Sequence, residues 1–115
     1  MIIKYNELKS LNKNNFNFYL FYGSNKGLIE ETINKNFKDD EKFIIINRAS
    51  DKIVSLIQEL IVSQVKDLKI IITAGVLEKK SKLRNFFEKN KSTIIVPFYE
   101  DNYQSLATII QTKFR

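Results

Sequence analysis

Four short apolar runs, each followed by a segment with helical periodicity, constrain the fold of this chain more than any other feature. The runs are FNFYLFY (16–22), KFIIIN (42–47), KIIITA (69–74) and TIIVPFY (93–99). Each is almost continuously apolar rather than alternating, which is typical of strands covered on both faces in a parallel sheet. Strand followed by helix four times predicts a three-layer α/β domain with a doubly wound, mainly parallel four-stranded sheet.

The helical segments carry apolar residues at helical spacing. Ile29, Ile33 and Phe37 follow the first run at four-residue intervals, and the third run leads to a basic helix over residues 78–91. A last amphipathic helix is predicted over residues 100–114.

Two further helices and one edge strand are also predicted. A short leading helix is predicted over residues 4–11. Ser50 is expected to cap the helix after the second run, with Asp51 assisting the start of that same helix. Pro97 cannot donate a hydrogen bond to a sheet, so the last strand is predicted to lie at a sheet edge.

The amino-acid composition limits the catalytic and metal-binding chemistry that the chain can perform. At 115 residues the chain predicts a single domain, residues 1–115, and it contains neither cysteine nor histidine. The commonest general base, the commonest metal ligand and all thiolate chemistry are therefore missing, so we predict no catalytic residue, no metal site and no cofactor. No apolar run approaches the ~20 residues of a membrane helix, and the start does not resemble a signal peptide, which predicts a cytoplasmic protein.

The loop after the first strand invites comparison with phosphate-binding loops. Such loops need the pattern G-x-x-x-x-G-K-[ST]. Their backbone amides surround the phosphate, the lysine neutralises its charge, and the Ser or Thr hydroxyl binds the magnesium ion. Gly23 and Gly27 are one residue too close, and Leu28 and Ile29 stand where the lysine and hydroxyl should be. The loop is predicted to be a glycine-permitted turn, although Lys26 could still contact an anion.

Two further features bear on nucleotides and nucleic acids. The second strand ends in Asn47 and Arg48, where a nucleotide hydrolase of the P-loop class places a carboxylate. A formal charge of +6 and the basic helix allow contact with DNA, with a solvated outer face as the other interpretation. The candidate DNA-contacting residues are Lys79, Lys80, Lys82 and Arg84, followed by Lys89 and Lys91.

Three stretches together resemble the N-terminal domain of the delta subunit of bacterial DNA polymerase III, the clamp-loader subunit that opens the sliding clamp. They are FYLFYGSNKGLIEETI, KFIIINRASDKI and IIITAGVLEKKSKLRNFFEKNKSTIIVPFYEDNYQSLATII. The resemblance implies an AAA+-like fold with a degenerate nucleotide loop and no ATP hydrolysis by the chain itself, although the family belongs to a DNA-directed DNA polymerase holoenzyme. It also implies a role in DNA replication, with the sliding clamp and other loader subunits as partners.

The chain departs from the family in two ways. It stops at Arg115, after the first of the family's three domains. Only KDDEK, residues 38–42, stands where the family inserts a strand and the helix that wedges into the clamp. No residue is therefore assigned to clamp opening. A small nucleotide-binding enzyme using Gly23, Lys26 and Gly27, or a DNA-contacting module using helix 78–91, remain the alternatives.

The missing family strand also leads to a prediction about self-association. By analogy with the family's sheet, the strand order is 43–47, 70–74, 16–22, 94–98, which leaves strand 43–47 at an edge. Exposed apolar edges pair with other chains unless they are blocked. We therefore predict a weak homodimer through strand 43–47, the alternative being a monomer whose N-terminal helix or KDDEK loop covers that edge.

Overall fold

A computed structural model describes residues 1–11, 16–37, 43–63 and 68–99 of the chain. Its centre is a sheet of four strands: β1 (Phe18–Tyr22), β2 (Phe43–Ile46), β3 (Lys69–Ala74) and β4 (Thr93–Pro97). All neighbouring strands are parallel, and their order across the sheet is β2, β3, β1, β4. The predicted fold class and strand order are confirmed.

Three α-helices follow the first three strands. They are α1 (Lys26–Phe37), α2 (Val54–Val62) and α3 (Lys82–Lys89), with short 3-10 helices at Tyr5–Ser10 and Asp51–Ile53. The leading helix is thus a 3-10 helix, and the basic helix is shorter than predicted because Ser81 caps it at its start. The helix predicted over 100–114 lies outside the described residues.

Helices cover both faces of the sheet and make three layers. On one face α1 packs with the Tyr5–Ser10 helix against Tyr19 and Phe21 of β1. On the other face α2 and α3 pack against Phe18, Leu20 and Tyr22 of β1. Every residue of β1 is buried, because this strand is central and covered on both sides, which explains its continuous apolar run.

The predicted apolar face of α1 agrees with this arrangement. Ile29, Ile33 and Phe37 of α1 lie in the first cluster, whereas Leu83 and Phe87 of α3 lie in the second. Aromatic contacts join helix to sheet within the first cluster, where the rings of Phe37 and Tyr19 meet edge to face at 4.9 Å. The two helical layers therefore have separate cores, divided by the sheet.

The two edges of the sheet differ. β4 lies at one edge, as Pro97 predicts, and the first residues of the chain run beside it: Ile3 donates to Ile95 at 3.1 Å, and Ile95 donates to Met1 at 3.0 Å. The N-terminal segment therefore covers the β4 edge. This contradicts the suggestion that it covers β2, whose outer side has no hydrogen-bonding partner among the described residues.

Among the helices of the described ranges, none combines the length and apolar character needed to cross a membrane.

Candidate functional site

The turn between β1 and α1 lies at the carboxyl end of the sheet, where open α/β folds bind their ligands. Gly23 has a φ of 133°, a backbone conformation that residues with a side chain rarely adopt. A Cβ atom at this position would lie 1.9 Å from the carbonyl oxygen of Phe98. Gly23 is thus required by the close approach of this turn to the end of β4.

The backbone amides of the turn bond to the protein itself. The amide of Gly23 donates to the carbonyl of Ala74, the last residue of β3, at 3.3 Å and to that of Gly75 at 3.1 Å. The amide of Asn25 donates to the carbonyl of Phe98 at 3.0 Å. These bonds tie the turn to the ends of both neighbouring strands.

Asn25 caps the first turn of α1, a role that the sequence analysis missed. Its Oδ1 accepts from the amide of Leu28 at 3.1 Å, while its carbonyl accepts from the amide of Ile29 at 3.1 Å. A phosphate at a helix start would need such amides free. An asparagine just before a helical pattern is a recognised capping signal, so this role was readable from the sequence.

The other two candidate residues of the loop are differently placed. Gly27 has open space around it, since the nearest atom to an added Cβ is Asn25 Oδ1 at 3.9 Å. Lys26 is exposed at the first position of α1. Gly23, Lys26 and Gly27 therefore have different surroundings: Gly23 packs against Phe98, Lys26 is a surface cation, and Gly27 has open space around it.

The end of β2 supplies a polar pair instead of a carboxylate. The hydroxyl of Thr73 donates to Oδ1 of Asn47 at 2.8 Å, which joins the ends of β3 and β2. Arg48 follows with a φ of 58°, so the chain leaves the sheet there, and the amide of Ala49 returns to the carbonyl of Thr73 at 2.9 Å. A neutral pair of this kind offers no charge to a magnesium ion.

A groove of about 440 Å³ opens between α1 and the ends of β2 and β3. Its polar rim includes two cations, Lys26 and Arg48, and one carboxylate, Glu30, while Ile29, Ile33 and Ile45 form its floor. The groove exists because α1 covers β1 and β3 and leaves the side of β2 that faces α1 largely open.

Asp51 has a different role from the one predicted. Its carboxylate accepts from the hydroxyl of Ser81 at 2.7 Å and from the amide of Leu83 at 3.0 Å, so it serves the start of α3 rather than its own helix. The hydrogen bonds from the Leu83 amide and from Ser81 lower the pKa of the Asp51 carboxyl. Ser50 stands before the 3-10 helix, but its side chain makes no capping bond.

The basic residues around α3 do not form a uniform surface. Lys79, Lys80 and Lys82 are exposed, and Lys80 makes only a long contact of 3.8 Å with Glu78. Arg84 differs from them because its side chain is only 18% exposed.

Arg84 is bound within the protein. Its Nε donates to Glu88 at 3.1 Å, its Nη1 donates to the carbonyl of Leu77 at 3.0 Å, and its guanidinium lies 5.4 Å from the centre of the Tyr22 ring. Burial alone would lower the pKa of Arg84, but the hydrogen bond to Glu88 and the electrostatic interaction with Tyr22 raise it above its usual value. Of the candidate DNA-contacting residues in the described ranges, Arg84 has the strongest structural role.

Tyr22 lies at the centre of a small cluster that also contains Arg84 and Tyr99. Burial is the main cause that raises its pKa to about 12, with a further contribution from Tyr99. The rings of Tyr22 and Tyr99 meet edge to face at 5.8 Å. No local sequence pattern indicates this cluster, because its members come from the end of β1, from α3 and from the residues after β4.

The described residues contain no group of three or more acidic, cysteine or histidine side chains that could hold a metal ion. Comparisons with protein-family models, curated proteins and solved structures found no match for this chain. The resemblance to the delta subunit therefore stays a prediction. The basis for a functional proposal is the α/β fold, together with the β1–α1 turn whose amides bond to the protein itself.

Proposed function

We propose that this protein is a non-catalytic, delta-like clamp-loader domain that acts in DNA replication through contacts with the sliding clamp and other loader subunits. The absence of catalysis in this proposal is supported by the internal hydrogen bonds of the β1–α1 turn. The partners rest on the sequence resemblance, with which the order of the four strands is compatible.

Nucleotide hydrolysis in the P-loop class needs three groups at the carboxyl end of the sheet. It needs free amides around the phosphates, a lysine and hydroxyl at the start of the helix, and a carboxylate at a strand end. Here Asn25 takes one amide of α1, Leu28 and Ile29 replace the lysine and hydroxyl, and Asn47 is paired with Thr73. Each of the three requirements fails for a separate physical reason.

The retained turn is still useful without a nucleotide. Its bonds to the ends of β3 and β4 fix the start of α1 relative to the sheet. A rigid sheet with loops held at one end is a suitable scaffold for protein contacts. The clamp-wedge helix of the family has no counterpart in this chain, so the proposed contacts involve other surfaces.

Two measurements on the purified protein test the proposal. Calorimetric titration with ATP and magnesium is expected to show no binding tighter than about 100 μM. Titration with the sliding clamp and the loader subunits of the same cell is expected to show binding below that dissociation constant. An unrelated protein of equal net charge, at the same salt concentration, controls for attraction by charge alone.

The two measurements test separate parts of the proposal. Tight ATP binding with hydrolysis would favour the enzyme alternative that uses Gly23, Lys26 and Gly27. Absence of binding to the clamp and to every loader subunit at about 100 μM would reject the partners instead. The variant Asn25→Ala adds a further control: if Asn25 merely blocked a competent phosphate site, its removal would create ATP affinity, which we do not expect.

A DNA-contacting function is the second candidate, and the exposure of Lys79, Lys80 and Lys82 at the start of α3 favours it. It predicts an affinity for duplex DNA whose logarithm falls with the logarithm of salt concentration. Replacing Lys79 or Lys82 by glutamine should reduce the magnitude of that slope by about one each. A matched change of Lys35, which is paired with Glu31 on α1, should leave the slope unchanged. A salt-independent signal would remove this candidate.

A further inference from the structure

The outer edge of β2 is where the described sheet ends without a partner. β2 pairs with β3 on one side, and no described residue makes a hydrogen bond to its other side. The opposite edge is protected by Pro97 and by the backbone bonds of Met1 and Ile3 to Ile95. Edges left open in this way pair readily with other strands.

The strand register shows which backbone groups of β2 point outward. The amide of Ile70 donates toward β1, at 2.7 Å. Backbone groups alternate in direction along a strand, so those of Ile71 point to β2. Ile71 is in register with Ile45, which means that it bonds to the residues on either side, Ile44 and Ile46. The N–H and C=O groups of Phe43 and Ile45 therefore point away from the sheet.

The side chains at this edge are apolar and open on both faces. Ile44 is 48% exposed and Ile45 is 40% exposed, and alternation along the strand places them on opposite faces of the sheet. No charged residue occurs between Phe43 and Asn47. The edge therefore contains none of the charges that commonly prevent strand pairing.

We propose that two copies of the chain pair through their β2 edges, antiparallel and about a twofold axis perpendicular to the sheet. Ile45 then lies opposite Ile45 of the second copy, and the two residues exchange both of their outward hydrogen bonds. Ile44 lies opposite Ile46 of the second copy on the α2 face. A closed contact of this kind satisfies both edges at once, and it is independent of the proposed function.

The size of the edge sets the strength of the contact. A segment of five residues is about 17 Å long, and pairing it buries well under the ~1,200 Å² of a stable interface. We therefore expect a dissociation constant of about 0.1 to 1 mM. Each copy carries a formal charge of +6, so screening by salt should strengthen the association.

Sedimentation and amide hydrogen exchange together test the proposal. At about 1 mM protein a monomer–dimer equilibrium is expected, with a monomer at about 10 μM. The amide of Ile45 should gain protection at the higher concentration, whereas those of Ile44 and Ile46 should be protected at both. A monomer at about 1 mM would overturn the proposal. So would concentration-independent protection of the Ile45 amide, which would mean that the chain covers its own edge.

Two variants and a control sharpen the test. Ile45→Pro removes an outward N–H and leaves the bonds between β2 and β3, so the fold should persist while the dimer is lost. Ile45→Lys, which introduces like charges at the axis, should weaken association at least about tenfold. Val62→Lys adds the same charge at a position 81% exposed on α2 and should have little effect. Equal weakening by the two lysine variants would reject the edge contact.

Discussion

Gly23→Ala is expected to destabilise the fold strongly. The size of this loss distinguishes a packing role of Gly23 from a phosphate-binding role. An alanine would have to keep a φ of 133°, at a cost of about 1–3 kcal/mol. Its Cβ would lie 1.9 Å from the carbonyl oxygen of Phe98, where at least 3.0 Å is needed. Displacing buried backbone by that amount costs about another 1–3 kcal/mol.

The expected loss of unfolding free energy is therefore about 2–6 kcal/mol, a large part of the 5–15 kcal/mol of a typical domain. Urea unfolding followed by far-ultraviolet circular dichroism measures it. Gly27→Ala is the matched control from the same loop, since the nearest atom to its Cβ is 3.9 Å away. That variant should be neutral or stabilised by up to about 1 kcal/mol, because alanine favours a helix more than glycine does.

The pair of variants can refute this reasoning. A Gly23→Ala protein within about 0.5 kcal/mol of the parent would show that the turn does not approach Phe98 as described. Equal destabilisation by both variants would show that Gly27 has a steric requirement that the structure lacks. Either result would reopen the phosphate-loop interpretation.

Three further predictions concern single polar groups. Asn25→Ala should lower the unfolding free energy by about 1 kcal/mol through loss of the α1 cap, whereas Asn25→Asp should retain most of it in the same urea titration. Asp51→Asn should lower the urea midpoint at neutral pH. Because the folded-state pKa of this carboxyl is lowered, its stabilisation is present above the ordinary carboxyl pKa and lost as the pH falls, so the midpoint of the Asn variant should change less with acid. Tyr22→Phe should remove a step with a pKa of about 12 from an alkaline absorbance titration, while Tyr5→Phe should leave that step in place. A Tyr22 variant that keeps this step would contradict the assignment.

The sequence by itself determined the α/β layers and the edge position of β4, and it lacks the residue pattern of a P-loop. Continuous apolar runs predict strands covered on both faces, which holds for β1 but not for β2, whose Ile44 and Ile45 are exposed. The spacing of Ile29, Ile33 and Phe37 predicts a helix with one inward face. Pro97 excluded an interior position for β4, because it has no amide to donate. These are local properties, set by a few neighbouring residues, whereas the strand order was predicted by analogy with the sheet of the resembled family.

Only the tertiary structure decided which groups from distant parts of the chain meet. Asp51 was expected to assist its own helix, yet it bonds to Ser81 and Leu83, because the 3-10 helix Asp51–Ile53 and the start of α3 lie side by side in the fold. The pairing of Asn47 with Thr73 likewise joins two strand ends that are distant in the chain. A carboxylate or amide next to a helix start satisfies a local rule, but the rule does not say which helix it will serve. The helix that it serves depends on the strand register and on the packing of neighbouring strands. The spacing of residues along one segment carries no information about either.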